Sequence, residues 1–125
     1  MEKSMELKRV GFFRELKHGD TSGISLKEAV RKNPAENEDK IVEYLDSGAI
    51  FCVAAGVVSD VLDESKGIIT SLEILTDGVW VWPSDLSYYV KSYHIELDAD
   101  FIEHIKKKGW IMQNEKDIDL LSLEW

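Results

Sequence analysis

Residues 72–82 carry the strongest local folding signal in the chain. Two runs of alternating side chains, Leu72-Glu-Ile-Leu-Thr76 and Val79-Trp-Val-Trp82, flank the dipeptide Asp77-Gly78. Such an arrangement is typical of an antiparallel β-hairpin with a type I′ turn, in which both central residues have a positive φ. The sequence therefore predicts a hairpin over 72–82.

The alternation also assigns the hairpin side chains to two faces. With a two-residue loop, Thr76 is expected opposite Val79. One face is wholly apolar and is expected to pack on the core: Leu72, Ile74, Val79 and Val81. The other face is aromatic but carries a charge: Glu73, Leu75, Trp80 and Trp82. On this second face, Trp82 is expected to be exposed, as is Tyr88 in the segment that follows.

Four segments carry the start and stop signals of helices. Ser25-Leu-Lys-Glu28 is a capping-box pattern, and Asp98 can cap a later helix that ends before Gly109. Asn33-Pro34 and Asp85 mark two further starts. The predicted helices span about 26–32, 34–47, 84–93 and 99–108.

Two more strands are expected. Ala49-Ile-Phe-Cys-Val-Ala-Ala55 is a continuous apolar run, which is typical of a central strand covered on both faces. Cys52, the single cysteine, is then predicted to be buried and unreactive. A closing edge strand is predicted from the alternation of Leu121, Leu123 and Trp125.

These elements predict an α+β domain, with a small, mainly antiparallel sheet that includes the 72–82 hairpin and helices packed on at least one face. No repeat or linker divides the 125 residues, so we expect a single domain over 1–125, with residues 1–6 disordered. No run of about 18 apolar residues is present, and Met1–Arg9 is too polar for a signal peptide. A cytoplasmic chain without a membrane contact is therefore expected.

Charge and motifs restrict the classes of function. The chain has 24 acidic and 15 basic residues and a net charge of −9, which disfavours nucleic acid and favours a basic protein as partner. Many of the carboxylates lie in two sets, of which the first is a run over 36–46. Each set forms either a solvated face or a surface for a partner. The second set comprises Glu96, Asp98, Asp100 and Glu103.

No catalytic or metal-binding motif is present in the sequence. The histidines lack a metal-ligand spacing, and there is no Gly-rich phosphate loop or Gly-x-Ser-x-Gly motif. Asp60, Asp63 and Glu64 lack the spacing of a calcium loop and are expected to form a solvated acidic turn. We therefore predict no enzyme activity, no metal and no other cofactor.

The predicted binding residues lie in the hairpin and the helix that follows it. Tryptophan and tyrosine are enriched at binding hot spots, and carboxylates suit a basic partner. The predicted site comprises Glu73, Asp77, Trp82, Asp85, Tyr88 and His94.

The segment 75–94, LTDGVWVWPSDLSYYVKSYH, resembles a group of small uncharacterised bacterial proteins known mainly from genome sequences. The likeness extends to Phe101, His104 and Gly109-Trp110, and the group brings no activity or catalytic residue with it. The small, acidic, cysteine-poor α+β type is also similar to bacterial immunity proteins, which neutralise toxin domains. This likeness of type implies a protein-binding function.

Three hypotheses for the function follow. The first is a non-enzymatic bacterial binding domain of the immunity type, which neutralises a basic toxin through an acidic, aromatic surface. The alternative is a small-molecule binding or enzymatic domain with a pocket between strand 79–82 and helix 84–93, where Asp85, Tyr89 and His94 are the polar groups. The third is a subunit of a larger assembly, and the sequence leaves the oligomeric state open.

Overall fold

The computed structural model describes residues 5–112, 118 and 123–124 of the chain. A short 3₁₀ helix, Glu64–Lys66, accompanies the strands and α-helices. In chain order these are β1 (Met5–Glu6), β2 (Lys8–Arg9), α1 (Leu26–Ala29), α2 (Glu38–Asp46), β3 (Ala49–Ser59), β4 (Ile68–Thr76), β5 (Trp80–Pro83), α3 (Leu86–Tyr93), α4 (Ala99–Lys107) and β6 (Leu123–Glu124).

Four of the strands form one mixed sheet in the order β2-β5-β4-β3. Strand β4 pairs antiparallel with both β3 and β5, whereas β2 joins β5 in parallel. A separate parallel pair is formed by β1 and β6. The chain is therefore an α+β fold with a mostly antiparallel sheet, as the sequence predicts.

The hairpin forms where it is predicted, but its register and its turn differ. Thr76 pairs with Val81 rather than with Val79. A shift of two residues leaves each side chain on its predicted face, because side chains alternate with a period of two. Of the two turn residues, only Gly78 has a positive φ, at 95°, whereas Asp77 does not. The predicted type I′ turn is therefore wrong.

The aromatic face of the hairpin, rather than its apolar face, packs against the main core beneath the helices. The rings of Trp80 and Trp82 lie 5.2 Å and 5.7 Å from the ring of Phe101 in α4. Trp82 is only 1% exposed, and its Nε1 donates to the backbone oxygen of Leu45 at 3.1 Å. The predicted exposure of Trp82 is wrong. The apolar face lies in a smaller cluster of Leu7, Phe12, Ile74 and Val81.

Helices α3 and α4 begin where their start signals predict. Asp85 stands at the N-terminal boundary of α3. At the start of α4, the Asp98 carboxylate accepts a hydrogen bond from the backbone N–H of Asp100 at 2.8 Å. The apolar stripe of α4 places Phe101 and Ile105 in the core. Local capping chemistry and hydrophobic spacing suffice to predict these two helices.

Helices α1 and α2 are shorter than predicted. Helix α1 ends at Ala29 because the following backbone bonds to another segment, with the N–H of Arg31 donating to the carbonyl of Tyr93 at 3.2 Å. Helix α2 begins only after Asn37, whose φ of 61° is left-handed. Asn33-Pro34 therefore does not start the helix.

Strand β3 is an edge strand, not the covered central strand that its apolar run predicts. Among the described residues it pairs only with β4, and its side chains are largely exposed, with Val53 at 69%. Cys52 is also exposed, so the predicted buried thiol is wrong. A continuous apolar run does not specify how many strands and helices cover it.

Two predictions concern residues that lie partly outside the described part of the chain. Of the terminus predicted to be disordered, residues 1–4 lie outside it, and Met5–Glu6 form β1. Leu121 and Trp125 of the predicted closing strand also lie outside. Within the described part of the chain, no helix has the length and apolar character needed to cross a membrane.

Candidate functional site

The six residues of the predicted site do not form one surface. Three of them are buried: Asp77, Trp82 and Asp85. The other three are partly exposed and lie in different contacts: Glu73, Tyr88 and His94. The backbone of Glu73 bonds to Ser84, since its N–H donates to the Ser84 hydroxyl at 3.0 Å. Most of the predicted site therefore stabilises the fold.

Asp77 is a buried polar centre that joins the hairpin to two helices. Its Oδ1 accepts from the backbone N–H groups of Val79 at 2.9 Å and Trp80 at 2.7 Å. Its Oδ2 accepts from the hydroxyl of Tyr44 in α2 at 2.5 Å and lies 2.8 Å from Nε2 of His104 in α4. Burial and the Asp77 carboxylate raise the pKa of Tyr44 well above its usual range. Asp77 thus holds α2 and α4 against the hairpin.

Asp60 is a second buried centre, at the end of β3. Its Oδ2 accepts from the hydroxyls of Tyr88 at 2.7 Å and Tyr93 at 2.6 Å, and its Oδ1 accepts from the backbone N–H groups of Leu62 and Asp63. Burial raises the pKa of Asp60, but these hydrogen bonds outweigh burial and lower it. The predicted solvated turn is wrong at Asp60, and the Tyr88 hydroxyl is engaged within the fold.

A groove of about 520 Å³ is lined by the segment between α1 and α2, the segment between α3 and α4, and helix α4, with single contributions from α2 and α3. Its apolar lining comprises Ile41, Val90, Ile95, Leu97 and Ile102. Its charged lining comprises Arg31, Glu36, Glu96, Glu103 and Lys106. We call this feature the acidic groove.

Of the predicted site residues, His94 lines the acidic groove. Its Nδ1 lies 2.9 Å from Oε2 and 3.1 Å from Oε1 of Glu38 at the start of α2. Next to it, Arg31 forms an ion pair with Glu96. These contacts connect the end of α3 to the other walls and give the groove a defined shape.

The acidic groove brings together the two acidic sets that lie far apart in the sequence. Glu36 comes from the first set, whereas Glu96 and Glu103 come from the second, and all three are exposed. Carboxylates beside an apolar surface suit a lysine or arginine side chain, because its methylenes pack on the apolar part and its charge stays at the rim. The sequence indicates both sets but contains no local signal that they meet.

The pocket predicted between strand 79–82 and helix 84–93 is occupied by the protein's own side chains. Trp80, Trp82 and Tyr89 are buried there, with Tyr89 fully inaccessible. The Tyr89 hydroxyl also donates to the backbone oxygen of Ser59 at 3.2 Å, and burial is the main cause that raises its pKa to about 12. The prediction of a ligand pocket between strand 79–82 and helix 84–93 is therefore wrong.

A second concave feature, of about 320 Å³, lies between the β3–β4 hairpin and the loop before α1. Its aliphatic lining comprises Leu16, Ala55, Val57, Val58, Val61 and Leu72. Lys17, His18 and Ser59 complete the lining. We call this feature the Lys17 pocket.

Behind the Lys17 pocket, His18 contacts the buried residue Asp85. The His18 Nε2 lies 3.1 Å from Oδ2 of Asp85, whose side chain is 1% exposed. This is an ion-pair distance, but the two groups lack the alignment of a hydrogen bond. Asp85 is thus a buried carboxylate whose nearest polar neighbour across this contact is the His18 imidazole.

Glu15 anchors the chain just before this loop. Its carboxylate accepts from the backbone N–H groups of Leu26 at 2.7 Å and Lys27 at 3.0 Å, and from the hydroxyl of Ser25 at 2.8 Å. Burial raises the pKa of Glu15, but the hydrogen bonds outweigh burial and lower it to about 2. The capping-box pattern indicates Ser25, which accepts from the N–H of Glu28 at 3.4 Å, but contains no signal for Glu15.

Comparison with known proteins finds no family model, no curated protein and no solved structure that matches the chain. The resemblance of segment 75–94 to bacterial proteins thus stays a prediction. Within the described residues, no group of three or more histidine, cysteine, aspartate or glutamate side chains is arranged to hold a metal ion.

Proposed function

We propose that this chain is a non-enzymatic protein-binding domain of the immunity type, which binds a basic partner protein in the acidic groove. The observation that carries the proposal is that three carboxylates line one groove beside an apolar surface and outnumber the two cations there, Arg31 and Lys106. The net charge of −9 supports the same class of partner, because it attracts a basic protein from a distance. The bacterial toxin domain suggested by the likeness of type is the partner that we propose.

The two parts of the groove have different tasks in this proposal. Exposed carboxylates steer a basic partner and select it over an acidic one, which affects the association rate more than the final affinity. The apolar part, with Ile102 and Leu97, loses contact with water when a partner side chain covers it and contributes most of the affinity. This division replaces the aromatic surface expected at Trp82, which is buried.

The chain inhibits its partner if the partner side chains that bind in the acidic groove are ones that the partner needs for its own reaction. Lysine and arginine side chains that hold phosphate groups are unavailable to a substrate while they lie in the acidic groove. No reaction by the chain itself is required. An inhibitor of this type acts where the toxin acts, and we place it in the cytoplasm.

The test uses the products of the genes that flank this one, since an immunity protein is made together with its toxin. The affinity of a basic candidate is measured by isothermal titration calorimetry for the unchanged chain and for the Glu36→Lys/Glu103→Lys variant. We expect the variant to bind at least about tenfold more weakly, because two like charges then face a basic partner.

A matched control distinguishes the effect of the groove residues on affinity from the effect of the net charge. Asp46→Lys/Glu64→Lys changes the net charge equally, at exposed residues that do not line the groove. It is expected to retain most of the affinity. Equal weakening by both variants, or none by either, contradicts binding through the acidic groove, as does the absence of binding by every basic flanking product.

A further inference from the structure

We propose that the Lys17 pocket binds a small molecule with an aliphatic body and a single carboxylate group. This site is separate from the acidic groove, and the inference does not depend on the proposed function. A volume of about 320 Å³ falls at the small end of the range of about 300–1,000 Å³ in which proteins hold small ligands. The pocket is therefore large enough for one short amphipathic molecule.

The aliphatic walls favour a saturated hydrocarbon body. Val57 and Val58 are consecutive in β3, and Leu72 reaches the pocket from β4. Val57 is 57% exposed and Val61 is 41% exposed, so both retain apolar surface that a ligand can cover. Removing such surface from water contributes about 25 cal/mol per Å². An aliphatic chain gains this contribution without leaving a polar group unpaired.

The charge of the lining favours an anionic head group. Lys17 and His18 are the titratable side chains that line the pocket, although the chain as a whole has a net charge of −9. Lys17 is exposed and able to reach a carboxylate, and the exposed Ser59 adds a hydroxyl donor. An ammonium group on the ligand would meet Lys17 and be repelled.

The buried contact between His18 and Asp85 is an independent observation on the same pocket. Asp85 faces the His18 Nε2, and within the described residues the Asp85 carboxylate oxygens have no aligned hydrogen-bond donor. The contact places the imidazole Nε2 against the buried Asp85 side chain. Because the His18 Nε2 faces Asp85 rather than the ligand, Lys17 is the main group for the ligand carboxylate.

The probe for this proposal is octanoate, titrated into the ¹³C-methyl-labelled chain and followed by NMR. We expect saturable shifts of the methyl signals of Val57, Val61 and Leu72. Octan-1-ol, which has the same chain length without the charge, is expected to bind at least about tenfold more weakly, and octylammonium is expected not to bind.

Two variants at exposed residues test the site without changing the core. Lys17→Glu is expected to weaken octanoate binding at least about tenfold, and Ala55→Trp is expected to abolish it by filling the pocket. The matched control is Lys27→Glu, which changes the same charge on α1 and is expected to leave binding unchanged.

The proposal is overturned by any of three results. These are the absence of saturable methyl shifts, equal binding of octanoate and octan-1-ol, and octanoate binding that Lys17→Glu and Ala55→Trp leave intact. None of these results bears on the acidic groove, because that groove shares no lining residue with the Lys17 pocket.

Discussion

The acidic groove and the Lys17 pocket differ in the charge of their linings: three carboxylates and two cations line the groove, whereas Lys17 lines the pocket. Two buried aspartates of the fold differ as well: Asp77 contacts two backbone N–H groups, the Tyr44 hydroxyl and His104. Behind the pocket, the Asp85 carboxylate lies beside His18 and, among the described residues, has no aligned hydrogen bond. The difference shows that a net charge of −9 does not determine the charge of each concave surface. It also separates a carboxylate that organises the fold from one that mainly positions a single side chain.

The largest expected effect is on stability and concerns Asp77. Asp77→Ala removes the acceptor for two backbone donors and the Tyr44 hydroxyl, and it leaves these groups buried without partners. We expect the free energy of unfolding, measured in urea, to fall by about 3–5 kcal/mol. A loss below about 1 kcal/mol would contradict the organising role of this residue.

A smaller effect on the free energy of unfolding, which depends on pH, is expected at Glu15, next to the loop of the Lys17 pocket. Its folded-state pKa of about 2 lies below the ordinary value of 4.5, so its contribution is complete above pH 4.5 and is lost as the pH falls toward 2. At pH 7, Glu15→Gln is expected to lower the free energy of unfolding by about 2 kcal/mol.

Urea denaturation at a series of pH values checks this dependence on Glu15. The difference between the unchanged chain and Glu15→Gln should shrink steadily below pH 4.5 and nearly vanish at pH 2. The matched control, Glu64→Gln, removes an exposed carboxylate outside this cap and should change little at pH 7. A difference for Glu15→Gln that stays constant with pH would be inconsistent with a charged cap on α1.

An effect of about tenfold is expected from salt on the binding of the basic partner. Raising the ionic strength from about 0.05 M to about 0.5 M shortens the range of electrostatic attraction, so association should slow about tenfold while dissociation changes little. Surface plasmon resonance at several salt concentrations measures both rates. The Glu36→Lys/Glu103→Lys variant should show a weaker salt dependence. Salt-independent association would argue against steering by the acidic groove.

The smallest effect on stability is expected at Asp85, in contrast to Asp77. Because the Asp85 carboxylate has no aligned hydrogen bond in the described part of the chain, Asp85→Asn leaves no buried donor without the acceptor that it had. The free energy of unfolding should therefore change by less than about 1 kcal/mol. A loss as large as that of Asp77→Ala would show that the two aspartates are equivalent.

The sequence predicts the positions of α3, α4 and the hairpin correctly, because each of these elements has a local signal, whereas the register and turn type of the hairpin differ. Helices α3 and α4 follow Asp85 and Asp98, and the hairpin surrounds Asp77-Gly78. The errors lie where distant segments decide the outcome. Trp82 is buried because helices cover its face of the sheet, and Cys52 is exposed because β3 lies at the edge. Neither property follows from alternation or from an apolar run.

The sequence predicts the candidate sites less well than it predicts the fold. The acidic sets are evident in the sequence, but Glu36 and Glu103 line one groove only in the folded chain, in which α2 and α4 both contact Asp77 of the hairpin. His18 and Asp85 are also far apart in the chain, and their pairing has no local pattern. Contacts of this kind depend on the tertiary structure.

Hydrogen–deuterium exchange of the chain, alone and with the basic partner bound, tests the central claim most directly. Binding in the acidic groove should slow exchange in 31–41 and 94–106, while the pocket segment 55–61 stays unchanged. Slower exchange confined to 55–61, with 31–41 and 94–106 unaffected, would contradict the proposal that the acidic groove binds the partner.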